Sequence, residues 1–362
     1  MQRSLSSPPS NPSELKLRSF ADSVKFDHFL ALTDETGMLQ HAKFGVPDRR
    51  LGYTTDDNAR ALVVSTFQCD FELDRKWAVL AGRFLAFLVG MQRTDGRLHN
   101  FMSYSREVRD DLDSGDHLGR ALWATGCVVD SHLPAEVRAT AKEVFDKALP
   151  WAFHSTSPRA WAHAIKGLSR YVSHFAEDSN AKQNLSQLVK RLVMLYEGNR
   201  SEGWRWFENV LSYENWRIPE SLIEAYLVGG DSLEVAEESL RYLINIEFMQ
   251  DVLVPVGSEG WYVRNGARAE FDQLPVEAGS AVETLVIAAK ATGSSAYWDL
   301  ALQALEWYHG RNLKKARVYD EDSGACYDGI SPAGLNLNKG AESTLSYLLA
   351  VTRIRSVLLN KT

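Results

Sequence analysis

The sequence has few cysteines and lacks the long apolar runs and basic stripes that mark several large classes of protein. Its three cysteines, Cys69, Cys127 and Cys326, are far apart, which is typical of a reducing compartment and fits neither a disulfide framework nor a zinc site. No run of about 18 apolar residues occurs, so we expect no membrane-spanning helix. A formal net charge of −7 without a Lys/Arg-rich stripe argues against a nucleic-acid or anionic-membrane partner.

Motifs for cofactors and metals are also missing. The sequence has no G-x-G-x-x-G, no P-loop and no G-x-S-x-G elbow, which argues against a nucleotide cofactor and a serine hydrolase. Residues 111–116 are only faintly similar to a calcium loop, because the sixth-position glycine and the closing glutamate are absent. We therefore expect no cofactor and no metal. The composition, with 45% hydrophobic and 24% charged residues, predicts a soluble globular protein, and we expect it to be cytoplasmic.

Two kinds of helical segment alternate along the chain. The first kind has one apolar stripe and one charged face, as in residues 185–196 and 298–308. The second kind is rich in small residues and poor in charge, as in residues 118–126 and 276–282, which predicts helices buried on every side. The alternation repeats six times. An open solenoid would need polar capping repeats, which are not evident. We therefore predict an all-α (α/α)6 toroid of six helical hairpins, as one domain over residues 20–362, after a disordered tail over residues 1–19.

The connections between these helices are asymmetric. Buried helices run into amphipathic ones through short links, whereas long segments such as 245–275 and 312–339 lead to the next buried helix. Long connections in a compact domain are usually functional, and these gather over the N-termini of the inner helices. Turn sequences such as Asp34-Glu35-Thr36-Gly37 and Thr94-Asp95-Gly96-Arg97 predict small β-hairpins on this rim.

Acidic residues cluster where the long connections meet the inner helices. The candidates are Asp56, Asp57, Asp116, Glu214, Glu220, Asp272 and Glu342. One interpretation is helix capping, because a carboxylate in the first turn accepts orphan N–H groups. The other is a ring of carboxylates around one cavity. Neighbouring carboxylates shift each other's pKa apart, and glycoside cleavage needs such an acid and base pair.

Aromatic and polar residues accompany the acids on the rim. The candidates for sugar binding are Tyr53, Trp161, Trp206, Trp216, Arg217, Arg268 and Asn338, together with Asp56, His117, His163, Glu220, Asp272 and Glu342. Flat apolar C–H faces of sugars stack on aromatic rings, and their hydroxyls bond to charged bidentate groups. The alternative is that many of these aromatics are hydrophobic plugs under the long loops.

Three runs of sequence resemble a known family. They are Leu32–Arg60, Ser114–Gly126 and Asn338–Ala350, and together they resemble a bacterial family of helical carbohydrate-active domains similar to six-hairpin glycosidases. Some members are fused to glycosyltransferases or encoded beside mannoside-processing enzymes. The resemblance covers most of the chain from about Phe20. It implies the toroidal fold, an oligosaccharide substrate and a glycosyltransferase as a partner in trans.

The leading functional hypothesis is a glycoside hydrolase or phosphorylase acting on a gluco- or manno-configured oligosaccharide. Glu214 is the candidate general acid, because the flanking Tyr213 and Trp216 would desolvate it and raise its pKa. Asp57 or Asp116 is the candidate general base. At the start of the first inner helix, we expect Asp56 to cap or orient and Asp57 to meet the substrate.

Two other classes of function stay open. A sugar epimerase or isomerase on the same scaffold would use histidines as acid and base, and His117 and His163 are the candidates. A non-catalytic glycan-binding module would keep the aromatic residues without needing opposed carboxylates.

Overall fold

Long helices form two concentric rings in the computed structural model, which describes residues 11–72, 74–109 and 115–359. The inner ring consists of α3 (Thr55–Glu72), α5 (His117–Val129), α7 (Pro158–His174), α9 (Arg217–Leu227), α11 (Pro275–Thr292) and α13 (Ala341–Leu359). The outer ring consists of α1 (Pro12–Asp22), α4 (Arg75–Met91), α6 (Ala135–Ala152), α8 (Ser179–Asn199), α10 (Leu233–Glu247) and α12 (Ala296–Glu306). Each inner helix contacts the next, and α13 closes the ring against α3. The predicted (α/α)6 toroid is therefore confirmed.

The two rings differ as their sequences predict. The outer helix α8 buries Leu185, Leu188 and Leu192 on one face, and polar residues cover its other side. The inner helices α3 and α11 are buried on almost every side. Helices that are buried on almost every side do not need an amphipathic pattern. The hydrophobic core lies between the two rings, and polar side chains of the inner helices face the toroid axis.

Glycines set the spacing between two inner helices. A Cβ built on Gly126 in α5 would lie 2.4 Å from the carbonyl oxygen of Gly167 in α7. A Cβ on Gly167 would in turn lie 2.3 Å from the carbonyl oxygen of Leu122. Both distances are far below van der Waals contact, so only glycine allows these two backbones to approach so closely.

The first outer helix begins earlier than the sequence predicts. Helix α1 occupies Pro12–Asp22, with Asn11 as its N-cap, and it buries Leu17 and Ala21 against α12 and α13. The prediction of a disordered tail is therefore wrong for residues 12–19. Within the following segment, residues 24–32, the chain forms the short helix α2 (Asp27–Ala31).

Short strands cover the end of the toroid at which the inner helices begin. They are β1 (Ala42–Lys43), β2 (Val46–Pro47), β3 (Tyr53–Thr54), β4 (Phe101–Met102), β5 (Val108–Arg109), β6 (Val210–Leu211), β7 (Phe248–Met249), β8 (Val252–Leu253), β9 (Tyr262–Val263), β10 (Tyr319–Asp320), β11 (Ala325–Cys326), β12 (Gly329–Ser331) and β13 (Gly334–Asn336). All pairings between these strands are antiparallel. Sheet β3-β4-β5 joins two rim connections, as does the pair of β6 with β9. None of the helices that the structure describes is long and apolar enough to span a bilayer.

Candidate active site

A polar cavity of about 460 Å³ opens on this rim, at the N-termini of α3 and α13. Its wall is formed by Gln40, His41, Thr54, Asp56, Asp57, Arg60, Asn100, Phe101, Asp328, Asn336, Gly340, Glu342 and Ser343. Three of the predicted acids, Asp56, Asp57 and Glu342, therefore lie at one cavity. They come from the first and the last inner helices, which are neighbours only because the toroid closes.

Asp57 is buried at the base of this cavity in the first turn of α3. Its side-chain Oδ2 accepts a hydrogen bond from the Thr54 hydroxyl at 2.8 Å, and the Thr54 Oγ1 accepts the Asp57 backbone N–H at 3.0 Å. Thr54 is thus the residue that caps α3. Burial raises the pKa of the Asp57 carboxyl to about 7; the nearby Arg60 opposes this rise, and the charge of Glu342 adds to it.

One guanidinium joins the carboxylates of Asp57 and Glu342. Arg60 places Nη1 3.3 Å from Asp57 Oδ1 and Nη2 3.1 Å from Glu342 Oε2. The Tyr213 hydroxyl also donates to Glu342 Oε2 at 2.5 Å. The Glu342 side chain is 40% exposed, whereas that of Asp57 is 5% exposed. The cavity therefore has a buried carboxyl and a water-accessible carboxylate on one shared arginine.

Asp56 orients a neighbouring arginine rather than capping the helix. Its Oδ1 lies 2.6 Å from Nη1 of Arg120 in α5, and its Oδ2 accepts from the Asn100 side chain at 3.1 Å. Although burial opposes ionisation, Arg120, Arg60 and His117 together lower the pKa of the Asp56 carboxyl. The expectation that Asp56 caps α3 is wrong, because Thr54 holds that position. Its orienting contact with Arg120 is present.

Glu214 is held in a buried cluster of basic side chains behind the cavity. Its carboxylate bonds to Arg120, lies 3.2 Å from His163 Nε2 and lies 3.4 Å from Arg217 Nε. Although burial opposes ionisation, Arg120, His163 and Arg60 together hold the pKa of Glu214 well below its usual value. The prediction of a raised pKa is therefore wrong. The flanking aromatic residues desolvate Glu214, but the arginines outweigh them.

Further ion pairs continue from Glu214 along the axis of the toroid. Arg217 bonds Glu220 at 2.8 Å and Glu283 at 2.7 Å, and Glu220 also lies 2.7 Å from Lys166 and 3.2 Å from Arg353. These side chains are almost fully buried. The structure therefore places Arg217 and Glu220, two of the predicted sugar-binding residues, in a charge-paired core and not on the cavity wall.

Three of the four aromatic residues predicted to bind sugar are buried in the structure. Trp206 and Trp216 are completely buried, and Trp216 Nε1 donates to Glu247 at 2.8 Å. Tyr53 is 1% exposed, and its hydroxyl donates to Asp34 at 2.6 Å. Trp161 is half-buried and donates to the Ser155 carbonyl. The alternative interpretation, hydrophobic plugs beneath the loops, is therefore correct for Trp206, Trp216 and Tyr53.

The other predicted acid and the histidines also lie outside this cavity. Asp116 accepts a hydrogen bond at 2.5 Å from Ser157, the N-cap of α7. His117 is buried with Nε2 2.8 Å from the Leu98 carbonyl. His163 is buried against Glu214, and burial lowers its pKa to about 3.

The remaining candidates belong to the rim loops. Asn338 is exposed, and its side chain accepts the backbone N–H of Phe44, at the tip of the β1–β2 hairpin, at 3.0 Å. Arg268 is half-buried and donates to the Val254 carbonyl. Asp272 is half-buried beside the first turn of α11, and none of the residues that line the cavity is Arg268 or Asp272. These three residues therefore shape the loops around the cavity or lie away from it.

Sequence reasoning assigned no role to Arg60 and Arg120, the two arginines that organise the site. Each is a charged residue inside a helix of small and apolar residues, and a buried arginine requires a carboxylate partner. A charged residue in an otherwise apolar helix is therefore a sequence signal that could have identified both Arg60 and Arg120. Among the described residues, no cluster of three or more His, Cys, Asp or Glu side chains is arranged to hold a metal. Residues 111–114 of the calcium-loop-like segment 111–116 lie outside the described residues.

Comparisons with known proteins identify solved structures that have a similar fold. The structure resembles cellobiose 2-epimerase from Bacillus thermoamylovorans, with a TM-score of 0.75 and 12% identity over 97% of this chain and 100% of that one. It resembles D-mannose isomerase with a TM-score of 0.75 and 13% identity over 97% and 100% of the two chains.

A glycoside hydrolase is also among the similar structures. The GH76 alpha-mannanase from Bacteroides thetaiotaomicron matches with a TM-score of 0.65 and 10% identity over 96% of this chain and 97% of that one. No protein-family model and no curated protein matches the sequence. The chain thus has the six-hairpin, glycosidase-like (α/α)6 fold that these epimerases, isomerases and mannanases share.

Proposed function

We propose that this protein is a glycoside hydrolase or phosphorylase that uses Asp57 and Glu342 as its acid and base pair. The observation that carries the proposal is the pair itself, with two carboxyl groups from different inner helices on one guanidinium at an open polar cavity. Glycoside cleavage needs one protonated carboxyl and one carboxylate. A fold shared with a mannanase supports a glycosidic substrate.

The environments of the two carboxyl groups assign their roles. Asp57, with a pKa raised to about 7 by burial, is protonated in a large fraction of molecules at neutral pH and donates a proton to the leaving oxygen. Glu342 is reachable by water or phosphate and is held by Arg60 and Tyr213, so it activates the attacking group. Asp57 thus takes the role of general acid in place of Glu214, since Glu214 is fully buried and paired with cations.

The cavity wall fits a small polar substrate. Asp56, Asn100, Asp328 and Asn336 contribute carboxylate and amide groups, which bond the vicinal hydroxyls of a gluco- or manno-configured sugar. Phe101 contributes an aromatic edge at the same wall. A glycosyltransferase partner in trans stays a prediction, since no contact in this chain bears on it.

The test is an oligosaccharide panel assayed for released sugar, with and without phosphate. We expect Asp57→Asn and Glu342→Gln each to lower kcat at least a hundredfold on the best substrate, whereas Asp70→Asn, at the far end of α3, should retain wild-type turnover. Full turnover by either cavity variant would overturn the assignment. Sugar binding without turnover in the wild type would identify a non-catalytic glycan-binding module instead.

A sugar epimerase or isomerase is the second candidate. It is favoured by the higher TM-scores of the epimerase and the isomerase, and by His41, which brings an imidazole to the cavity wall. His117 and His163 are engaged away from the cavity, so His41 would serve in their place. Incorporation of solvent deuterium into recovered sugar, without bond cleavage, would identify this reaction, and His41→Asn should abolish it.

A further inference from the structure

A second cavity lies at the opposite end of the toroid, where the inner helices end. It has a volume of about 190 Å³, and its lining comes from α3, α7, α9, α11 and α13 together with Val228, just beyond α9. The volume is below the roughly 300–1,000 Å³ of sites for drug-sized ligands. This pocket, which we call the basal pocket, therefore fits a small ion or one functional group of a larger molecule.

The charges that line the basal pocket are mainly positive. Arg170, Lys290 and Arg353 come from three different helices, and Glu224 is the carboxylate among the lining residues. Arg353 bonds to Glu224, and Arg170 lies 3.5 Å from Asp130. Lys290 has no ion-pair partner among the residues that the structure describes. Burial and the two arginines lower the pKa of Lys290, and the charge of Glu224 opposes them.

A buried hydroxyl at the pocket also lacks a partner. Ser169 is 4% exposed and lines the basal pocket, and its Oγ has no hydrogen-bond partner within the described part of the chain. Buried polar groups are nearly always hydrogen-bonded, so such a hydroxyl requires a water or a ligand. Lys290 lies in the last turn of α11, where a cation also complements the helix dipole. That role does not explain the unsatisfied hydroxyl.

We propose that the basal pocket binds a phosphoryl oxyanion, either as free phosphate or as part of a phosphorylated sugar. Cations that approach from three helices, together with a hydroxyl donor, suit a group with several acceptor oxygens that point in different directions. This site is independent of the proposed glycosidase chemistry, since the two cavities share no lining residue.

Calorimetric titration of the full chain with inorganic phosphate, glucose 6-phosphate and glucose tests the proposal. We expect both anions to bind and glucose to leave the basal pocket empty. Lys290→Glu should weaken anion binding at least tenfold. The matched control Lys147→Glu reverses a charge on the exposed face of α6, and its affinity should stay within twofold of the wild type.

A second variant removes the hydroxyl without changing the charge. Ser169→Val should also weaken binding, because it deletes the donor and reduces the space. Equal affinity of the wild type and Lys290→Glu would overturn the proposal, as would the absence of binding at 10 mM anion, roughly the limit of a useful site. Tighter binding of glucose 6-phosphate than of phosphate would identify a phosphorylated sugar as the ligand, and equal binding would identify free phosphate.

Discussion

Replacement of Glu214 by glutamine should destabilise the protein strongly. The carboxylate is completely buried, and it shares the compensation of two buried arginines with other carboxylates. Arg120 also pairs with Asp56, and Arg217 also pairs with Glu220 and Glu283. Glutamine keeps the shape and can accept one hydrogen bond, but it removes the negative charge. The backbone of Glu214 is left-handed, with φ 48°, and glutamine tolerates that conformation as well as glutamate does. The change therefore isolates the charge.

The expected cost follows from the loss of one partner in a buried ion pair. Such a loss costs about 3–5 kcal/mol, because it leaves an uncompensated buried charge. For a chain of this length, 1 kcal/mol corresponds to about 2 °C in Tm, at the low end of the range for smaller domains. We therefore expect Tm to fall by about 6–10 °C.

Thermal unfolding followed by circular dichroism at pH 7 measures this effect. The matched control is Glu35→Gln, because Glu35 also pairs with an arginine, Arg106 at 3.1 Å, but the side chains of Glu35 and Arg106 are 79% and 60% exposed. A largely solvated pair contributes about 0–1 kcal/mol, so the control should melt within about 2 °C of the wild type. If Glu214→Gln melts as the control does, the buried cation cluster does not depend on this carboxylate and our reasoning fails.

Three further predictions concern the helices around the site. Asp57→Asn should raise Tm relative to wild type by an amount that grows between about pH 4 and pH 7. The native carboxyl has a pKa of about 7 against an ordinary 3.8, so the stability that it contributes at low pH is lost as the pH rises from about 4 through 7. Trp216→Phe should cost about 1–3 kcal/mol, since it leaves a buried acceptor on Glu247 unpaired, and KM should not change. Gly167→Ala should cost at least about 1–3 kcal/mol through its clash with α5, whereas Gly198→Ala, with open space around it, should be neutral or stabilising.

Each of these predictions has a contradicting result. A pH-independent difference in Tm between Asp57→Asn and wild type would show that burial does not perturb the Asp57 carboxyl. A raised KM in Trp216→Phe, without loss of stability, would return Trp216 to the sugar site. Equal effects of Gly167→Ala and Gly198→Ala on the urea midpoint would show that α5 and α7 do not need glycine at their crossing.

The candidate site was only partly predictable from the sequence. Asp57 and Glu342 could be selected because each follows a long connection at the start of a buried helix, and such positions face the rim. Glu214 and Trp216 occupy a position with the same local pattern, yet they lie in the buried core. Local pattern does not distinguish the two outcomes, because each depends on how an inner helix is rotated and staggered against its neighbours.

The sequence by itself determined the toroid and the end at which its long connections gather. Amphipathic helices have one solvent-facing side and small-residue helices have none, so their alternation predicts an outer and an inner ring. The long connections indicate the rim. Only the tertiary structure decided which charges meet. Arg60 pairs with Glu342 across 282 residues and Arg120 with Glu214 across 94, because ring closure and helix packing bring these residues together. Helical periodicity is a local property and contains no information about such distant partners.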